Sequence, residues 1–146
     1  MIFVDTSYWV ALRNRRDSHH EEASRLLEAN ATQSLVTSNQ VRGETWTYLR
    51  RRAGHQSAVA FLDAVERSPR VRVVAVEPQQ EEQALAWLRR HHEREYSFVD
   101  ATSFVLMRAL KVREALAFDG DFSAAGFVEL RARAPNLGSR HRCQAC

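Results

Sequence analysis

The chain has 146 residues, of which 45% are hydrophobic and 27% are charged, and its formal net charge is +3. This size predicts one domain with its own hydrophobic core, and the basic balance favours an anionic partner, although a solvated basic surface explains the charge equally well. No apolar run is long enough to cross a membrane, and Asp5 comes too early for a signal peptide, so we expect a cytoplasmic protein that makes no membrane contact.

The first half of the chain alternates apolar runs with amphipathic stretches. Residues 2–4 predict a short apolar strand that ends at Asp5, and residues 34–37 predict a second strand. The second predicted helix begins at Ser18 or His19. The first of the four predicted helices begins with Tyr8, Trp9, Val10 and Leu12, the second runs through Ala23, Leu26 and Leu27, and the fourth runs through Ala58, Phe61, Leu62 and Val65. The third has an inner stripe formed by Val41, Thr45, Tyr48 and Leu49.

The second half repeats this alternation of strands and helices. Ser97 and Asp100 have the spacing of a capping box and predict the start of a mostly buried helix. The run 115–118 after that helix predicts a strand buried on both faces. The other predicted elements are a strand at 71–76, a helix on Ala84, Leu85, Trp87 and Leu88, and a short strand at 127–130.

The order of these elements predicts an α/β fold, a three-layer α/β/α sandwich with a mainly parallel central sheet. We expect the domain to occupy residues 1–133 and the polar segment 134–146 to form a flexible C-terminal tail. The tail holds Cys143 and Cys146. One Cys-x-x-Cys pair without a second is weak evidence for a metal or redox site, so we interpret both as reduced thiols.

Carboxylates stand at the ends of several predicted elements. Asp5 ends the first strand, and Asp119 and Asp121 follow the strand after the buried helix. Because the carboxyl ends of parallel strands meet at one edge of a sheet, we expect Asp5 and Asp119 to emerge together. Asp100 lies at a helix N-terminus, and Glu44 falls on the inner stripe of the third helix.

Each acid also has a purely structural explanation. The alternatives are helix caps at Asp5 and Asp100, an ion pair of Glu44 with Arg42 or Arg50, and an Asx-turn at Asp119 and Asp121. Jointly these explanations are weaker, because several acids at one edge repel one another by several kcal/mol unless a cation lies among them. A hard divalent cation, Mg²⁺ or Mn²⁺, prefers such oxygen ligands and assists displacement at a phosphodiester.

A site of this kind should have basic and aromatic neighbours that hold a nucleic acid. Arginine clusters that could contact its backbone are Arg13, Arg15 and Arg16, the triplet Arg50, Arg51 and Arg52, and the pair Arg89 and Arg90. A solvated surface explains each cluster as well. Aromatic side chains available for stacking on bases include Tyr8, Trp9 and Trp46.

The motifs around these acids resemble PIN-domain ribonucleases, and more closely the VapC toxins of bacterial toxin-antitoxin pairs. They are Ile-Phe-Val-Asp5-Thr-Ser, the mid-chain Glu44, Ser-Phe-Val-Asp100-Ala and Ala-Phe-Asp119-Gly-Asp121-Phe, and their order and spacing extend the resemblance to about Leu130. Residues after Ala134 lie outside it.

The resemblance implies a metal-dependent endoribonuclease that hydrolyses RNA phosphodiester bonds with Mg²⁺ or Mn²⁺. Its catalytic acids are then Asp5, Glu44, Asp100 and Asp119, and its metal ligands are Asp5, Asp100 and Asp119, with Asp121 as an auxiliary. It also implies a homodimer and a small antitoxin protein that blocks the site.

Two other functions fit part of the pattern. Asp119-Gly-Asp121 after an apolar strand resembles the Asp-x-Asp motif of haloacid-dehalogenase phosphatases, in which the first Asp is a nucleophile, but too little chain follows to build that fold. The other is a non-catalytic PIN-like module that binds RNA or protein. The presence of the whole acidic set argues against it.

Overall fold

A computed structural model describes residues 1–133 of the chain. The expected tail at 134–146, with Cys143 and Cys146, lies outside the described residues. The strands are β1 (Ile2–Val4), β2 (Leu35–Ser38), β3 (Val71–Val74), β4 (Glu114–Leu116) and β5 (Val128–Glu129), and the helices are α1 (Thr6–Arg13), α2 (His20–Ala29), α3 (Asn39–Arg52), α4 (His55–Arg67), α5 (Pro78–Arg90), α6 (Phe98–Leu110) and α7 (Asp121–Ala124).

The strands form one sheet in the order β3-β2-β1-β4-β5, and every pairing is parallel. The predicted α/β sandwich with a parallel sheet is therefore confirmed. Phe3 of the central strand lies opposite Val36 on one side and Ala115 on the other. After β1 the chain adds β2 and β3 on one side of that strand, and it later adds β4 and β5 on the other side. The strand order therefore reverses between β1 and β4. Ligands of open parallel sheets bind at such a reversal.

The core is built on the central strands and on the helices that cover them. Every residue of β1 and β2 is buried, as expected for strands covered on both faces. Helix α6 is buried from residue 101 to residue 107, which confirms the mostly buried helix. No helix in the described part of the chain is long and apolar enough to span a membrane.

Two predicted strands end earlier than expected because their partner strands are short. Ser38 is the last residue of β2 and lies opposite Val74, so the strand predicted at 71–76 ends there. Val4 ends β1 opposite Leu116, and the strand predicted at 115–118 ends with it. The short helix α7 was not predicted.

Some large side chains of the predicted helices are exposed. Tyr48 is 38% exposed, although it belongs to the inner stripe expected for α3, and Leu85 of α5 is 43% exposed. The expectation that Tyr8 and Trp9 stack on bases is wrong, because both side chains are buried in the core. Helix α1 packs between α2 and α3, so it buries more of its circumference than one stripe.

Candidate active site

The carboxyl ends of β1 and β4 open into a cavity of about 620 Å³. The structure brings all the acids selected from the sequence to its wall: Asp5, Glu44, Asp100, Asp119 and Asp121. This cavity lies where the strand order reverses, because Asp5 follows β1 directly and Asp119 follows β4 by three residues. We call it the acid cavity.

Asp5 is the most deeply buried of these acids, with 2% of its surface exposed. Its Oδ2 accepts hydrogen bonds from the Ser7 backbone N–H at 3.2 Å and from the Ser7 hydroxyl at 2.8 Å, so Asp5 is also the N-cap of α1. Burial raises the pKa of Asp5 from its ordinary 3.8 to about 8, and the charges of Asp119 and Asp100 act in the same direction. The hydrogen bonds from Ser7 oppose the shift.

Asp100 caps α6 and faces the acid cavity at the same time. The Ser97 backbone N–H donates to Asp100 Oδ2 at 2.9 Å, and the Asp100 backbone N–H donates to the Ser97 hydroxyl at 3.0 Å, which confirms the capping box. Burial raises the pKa of Asp100 to about 6, and the charges of Asp119 and Asp121 contribute. Asp100 is therefore a helix cap, as its structural explanation has it. Capping uses only one of its carboxylate oxygens, Oδ2, and does not exclude a ligand role.

Asp119, Gly120 and Asp121 form a tight turn at the mouth of the cavity. Asp119 Oδ1 accepts a hydrogen bond from the Asp121 backbone N–H at 3.1 Å, which is the expected Asx-turn. Gly120 has a φ of 82°, a conformation that glycine adopts without steric cost. Although Asp119 is exposed, loss of hydration around its carboxyl group raises its pKa, and the neighbouring Asp121 and Glu129 add to this.

Glu44 approaches the cavity from α3. Within residues 1–133 its carboxylate forms neither the ion pair with Arg42 nor that with Arg50 that would have explained it structurally. The half-buried Glu44 instead shares the cavity wall with Tyr48, one helical turn further along α3.

The oxygens of three acids are close enough to bind one metal ion. One carboxylate oxygen from each of Asp100, Asp119 and Asp121 lies within 4.8 Å of the other two. In the described residues, the only arginine or lysine ion pair to these three and Asp5 is that of Arg94 with Asp121, at 2.9 Å. Asp5, Asp100 and Asp119 have raised pKa values and no arginine or lysine partner within residues 1–133. These carboxylates are an oxygen-only donor set, which fits a hard divalent cation.

The cavity wall also contains residues that were not selected from the sequence. His19 and Phe118 lie there, beside Ser7 and Glu95. The sequence predicts Phe118 as a buried strand residue and His19 as a candidate start of the second helix. The Ser7 hydroxyl could have been suspected from its place two residues after Asp5, within hydrogen-bonding reach of a helix-capping carboxylate.

Comparison with known proteins agrees with this geometry. The PIN domain family matches residues 2–128. Two Mycobacterium tuberculosis proteins, from strains CDC 1551 / Oshkosh and ATCC 25618 / H37Rv, are 59% identical over 131 residues, covering 90% of this chain and 98% of their own, and both are named 23S rRNA-specific endonuclease VapC20. A crystal structure of M. tuberculosis VapC20, described as a Sarcin-Ricin loop cleaving toxin, has a TM-score of 0.85 at 57% identity and covers 90% of this chain and all of its own. The chain therefore belongs to the PIN-domain family, among its VapC-type members.

Proposed function

We propose that this chain is a metal-dependent endoribonuclease that hydrolyses phosphodiester bonds of ribosomal RNA. The observation that carries the proposal is the group of carboxylate oxygens from Asp100, Asp119 and Asp121, in one cavity with the buried Asp5. Four acids with no lysine or arginine paired to Asp5, Asp100 or Asp119 in residues 1–133 are unfavourable without a bound cation.

The metal would be Mg²⁺ or Mn²⁺, held by Asp5, Asp100 and Asp119, with Asp121 as an auxiliary ligand. When bound, such an ion lowers the pKa of a water molecule and supplies positive charge that stabilises the phosphate during displacement. Asp121 has the auxiliary role in this assignment, because Arg94 already pairs with one of its oxygens.

The protein side chains hold and orient the reactants. Glu44 carries no ion pair within residues 1–133 and is free to accept a hydrogen bond from the attacking water. Ser7 orients the Asp5 carboxylate through its hydroxyl. A smaller cavity next to the acid cavity shares Glu44 and Tyr48 with it and is otherwise lined by Thr47, Arg51 and Arg52. Because Arg51 and Arg52 line this adjoining cavity, we assign the arginine cluster that ends α3 to the RNA backbone.

The proposed substrate is supported by the relatives. Both M. tuberculosis relatives are named for 23S rRNA, and the matched crystal structure is described as a Sarcin-Ricin loop cleaving toxin. Because these relatives are 59% identical to this chain over almost their whole length, we propose the same ribosomal loop as its substrate.

We further propose that the chain is the toxin of a toxin-antitoxin pair, acting in the cytoplasm as a homodimer and held inactive by a small antitoxin protein. The support is the VapC relatives. Induced expression should arrest growth, and Asp100→Asn should abolish the arrest. Normal growth on induction of the wild type would argue for a housekeeping nuclease.

The activity is tested on an RNA hairpin that carries the sarcin-ricin loop, with Mg²⁺, with Mn²⁺ and with EDTA. Wild type should cleave it only with metal, and Asp5→Asn and Asp100→Asn should each reduce the rate by at least about a hundredfold. Asp63→Asn is the matched control, since Asp63 lies on α4 outside the acid cavity.

The remaining alternatives have distinct outcomes in this assay. Metal-dependent cleavage that both cavity variants retain would remove the assigned site. Binding of the hairpin without cleavage under any metal condition would favour the PIN-like binding module. The phosphatase alternative does not apply, because the chain has the PIN fold.

A further inference from the structure

Two aromatic rings are stacked at the wall of the acid cavity. The imidazole of His19 and the ring of Phe118 are parallel within 4°, with their centroids 4.5 Å apart. Both residues line the acid cavity, and His19 is exposed while Phe118 is half-buried. One face of the imidazole covers Phe118, and because His19 is exposed at the cavity wall, its other face is accessible to a further ring.

The His19 side of this pair is held by its loop. The His19 backbone N–H donates to Asp17 Oδ1 at 2.8 Å, and the next residue, His20, bonds through Nδ1 to the Ala11 carbonyl at 2.8 Å. The imidazole itself forms no hydrogen bond or ion pair within residues 1–133. Its position is therefore set by the backbone and by the stacking contact.

The Phe118 side is tied directly to the acids. The Phe118 backbone N–H donates to the Ser7 hydroxyl at 3.0 Å, and that hydroxyl donates to Asp5 at 2.8 Å. The Arg131 guanidinium lies 5.4 Å from the centre of the Phe118 ring and donates to the Ala117 carbonyl at 2.7 Å. Two hydrogen bonds thus connect the aromatic pair to the most buried carboxylate of the site.

This arrangement does not suit His19 as a metal ligand. In the described residues, the group of ligand atoms close enough to share one metal ion comes from Asp100, Asp119 and Asp121, and the His19 imidazole is not part of it. The imidazole instead presents a flat face, and flat aromatic faces at nucleic-acid sites stack on bases whatever their sequence. Sequence-specific proteins recognise RNA mainly at unpaired loop bases, which can be splayed out and stacked in this way.

We propose that His19, backed by Phe118, is the stacking site for one unpaired nucleobase of the RNA beside the scissile phosphate. The proposal deepens the proposed function and rests on it. The base lies on the open face of the imidazole, and the connection through Ser7 to Asp5 sets the position of its phosphate relative to the acids.

The test uses the full chain with His19→Ala, His19→Phe and His19→Gln, and with His92→Ala as the control. His92 is an exposed histidine that does not line the acid cavity. Cleavage of the sarcin-ricin hairpin is measured at saturating Mn²⁺, with thermal unfolding as a check on the fold. His19→Ala and His19→Gln should lower kcat/KM by roughly tenfold or more with unchanged unfolding temperature, whereas His19→Phe should retain most of the wild-type value. His92→Ala should match wild type.

A scan of the hairpin loop with single abasic nucleotides identifies the base. At one position the abasic substitution should slow wild type about as much as His19→Ala does, and should slow His19→Ala no further, because both changes remove the same contact. Wild-type kinetics in His19→Ala, or the absence of any such position, would overturn the stacking site. Failure of His19→Phe to restore cleavage would overturn it too, and would indicate imidazole chemistry.

A binding measurement separates this inference from the nuclease activity. Hairpins with 2-aminopurine at successive loop positions are titrated with protein in EDTA, and stacking quenches their fluorescence. Quenching at one position by wild type but not by His19→Ala supports the stacking site even if no RNA is cleaved. Cleavage by wild type together with equal quenching by both proteins would leave the nuclease intact and remove the stacking site.

Discussion

The Ser7 hydroxyl donates a 2.8 Å hydrogen bond to Asp5 and accepts a 3.0 Å hydrogen bond from the backbone N–H of Phe118. One small side chain thereby joins the end of β1 to the loop after β4, on the two sides of the strand reversal. It also favours the ionised form of Asp5, against the burial that raises its pKa.

Ser7→Ala should therefore impair the site and shift its pH dependence. Without the hydroxyl the pKa of Asp5 rises further and the Phe118 N–H loses its partner, so we expect about 1–2 kcal/mol of lost stability. Cleavage at pH 7 should fall by roughly tenfold or more, and the pH–rate profile should move to higher pH. Ser7→Thr keeps the hydroxyl and should recover most of the rate. An unshifted profile in Ser7→Ala would contradict this role.

Features that depend on neighbouring residues could be predicted from the sequence, whereas features that depend on distant parts of the chain could not. The capping box of Ser97 and Asp100 depends on residues three apart, and the structure has it as predicted. The ends of the strands at Val74 and Leu116 depend on how far their partner strands run, so no local pattern contains them. The burial of Trp9 likewise depends on the helices that surround α1.

The acids show the same division. The predicted strand ends and the helical phase were enough to predict that Asp5, Glu44 and Asp119 lie together, and all three line one cavity. The pairing of Arg94 with Asp121 spans 27 residues of sequence, and neither residue stands in a pattern that points to the other. The stacking of His19 on Phe118 depends equally on tertiary packing, and it was missed for that reason.

Asp5→Asn should stabilise the metal-free protein at neutral and alkaline pH. Because the pKa of Asp5 is about 8 in the folded chain and ordinarily 3.8, the folded state binds this proton more tightly than the unfolded state. Its contribution to stability is fully present below about pH 4 and is lost as pH rises through about 8. Asparagine does not ionise and still caps a helix, so the variant avoids this loss.

Urea unfolding in EDTA at pH 4, 6 and 8 measures the effect. We expect Asp5→Asn to exceed wild type by on the order of 1–3 kcal/mol at pH 8 and to approach it at pH 4. Mn²⁺ should stabilise wild type more than the variant. A difference that stays constant across this pH range would show that burial of the Asp5 charge is not its cause.

Lys111→Gly should stabilise the fold without changing the site. Lys111 ends α6 with a φ of 57°, the only positive φ of a non-glycine residue in the described chain, and its side chain is exposed. Glycine adopts this conformation without the cost that a Cβ imposes, so the free energy of unfolding should rise by about 0.5–1 kcal/mol. Urea unfolding measures the gain, and the cleavage rate should equal that of wild type. A loss of stability would mean that the lysine side chain contributes more than its backbone strain costs.

Arg94→Gln should make the site bind divalent cations more tightly. Arg94 Nε and Nη2 both lie within 3.0 Å of Asp121 Oδ1, so the guanidinium holds one of the oxygens that the proposed metal uses. Removing this charge leaves the Asx-turn at Asp119 in place, since that turn is made by the backbone N–H of Asp121. The pair is partly exposed, so its effect is at most about 1 kcal/mol, and we expect the Mn²⁺ concentration for half-maximal cleavage to fall by roughly two- to fivefold. Arg89→Gln removes an exposed arginine from the end of α5 and is the matched control for net charge. If Arg94→Gln instead needed more Mn²⁺ than wild type, the arginine would be holding Asp121 in place for the metal and not competing with it.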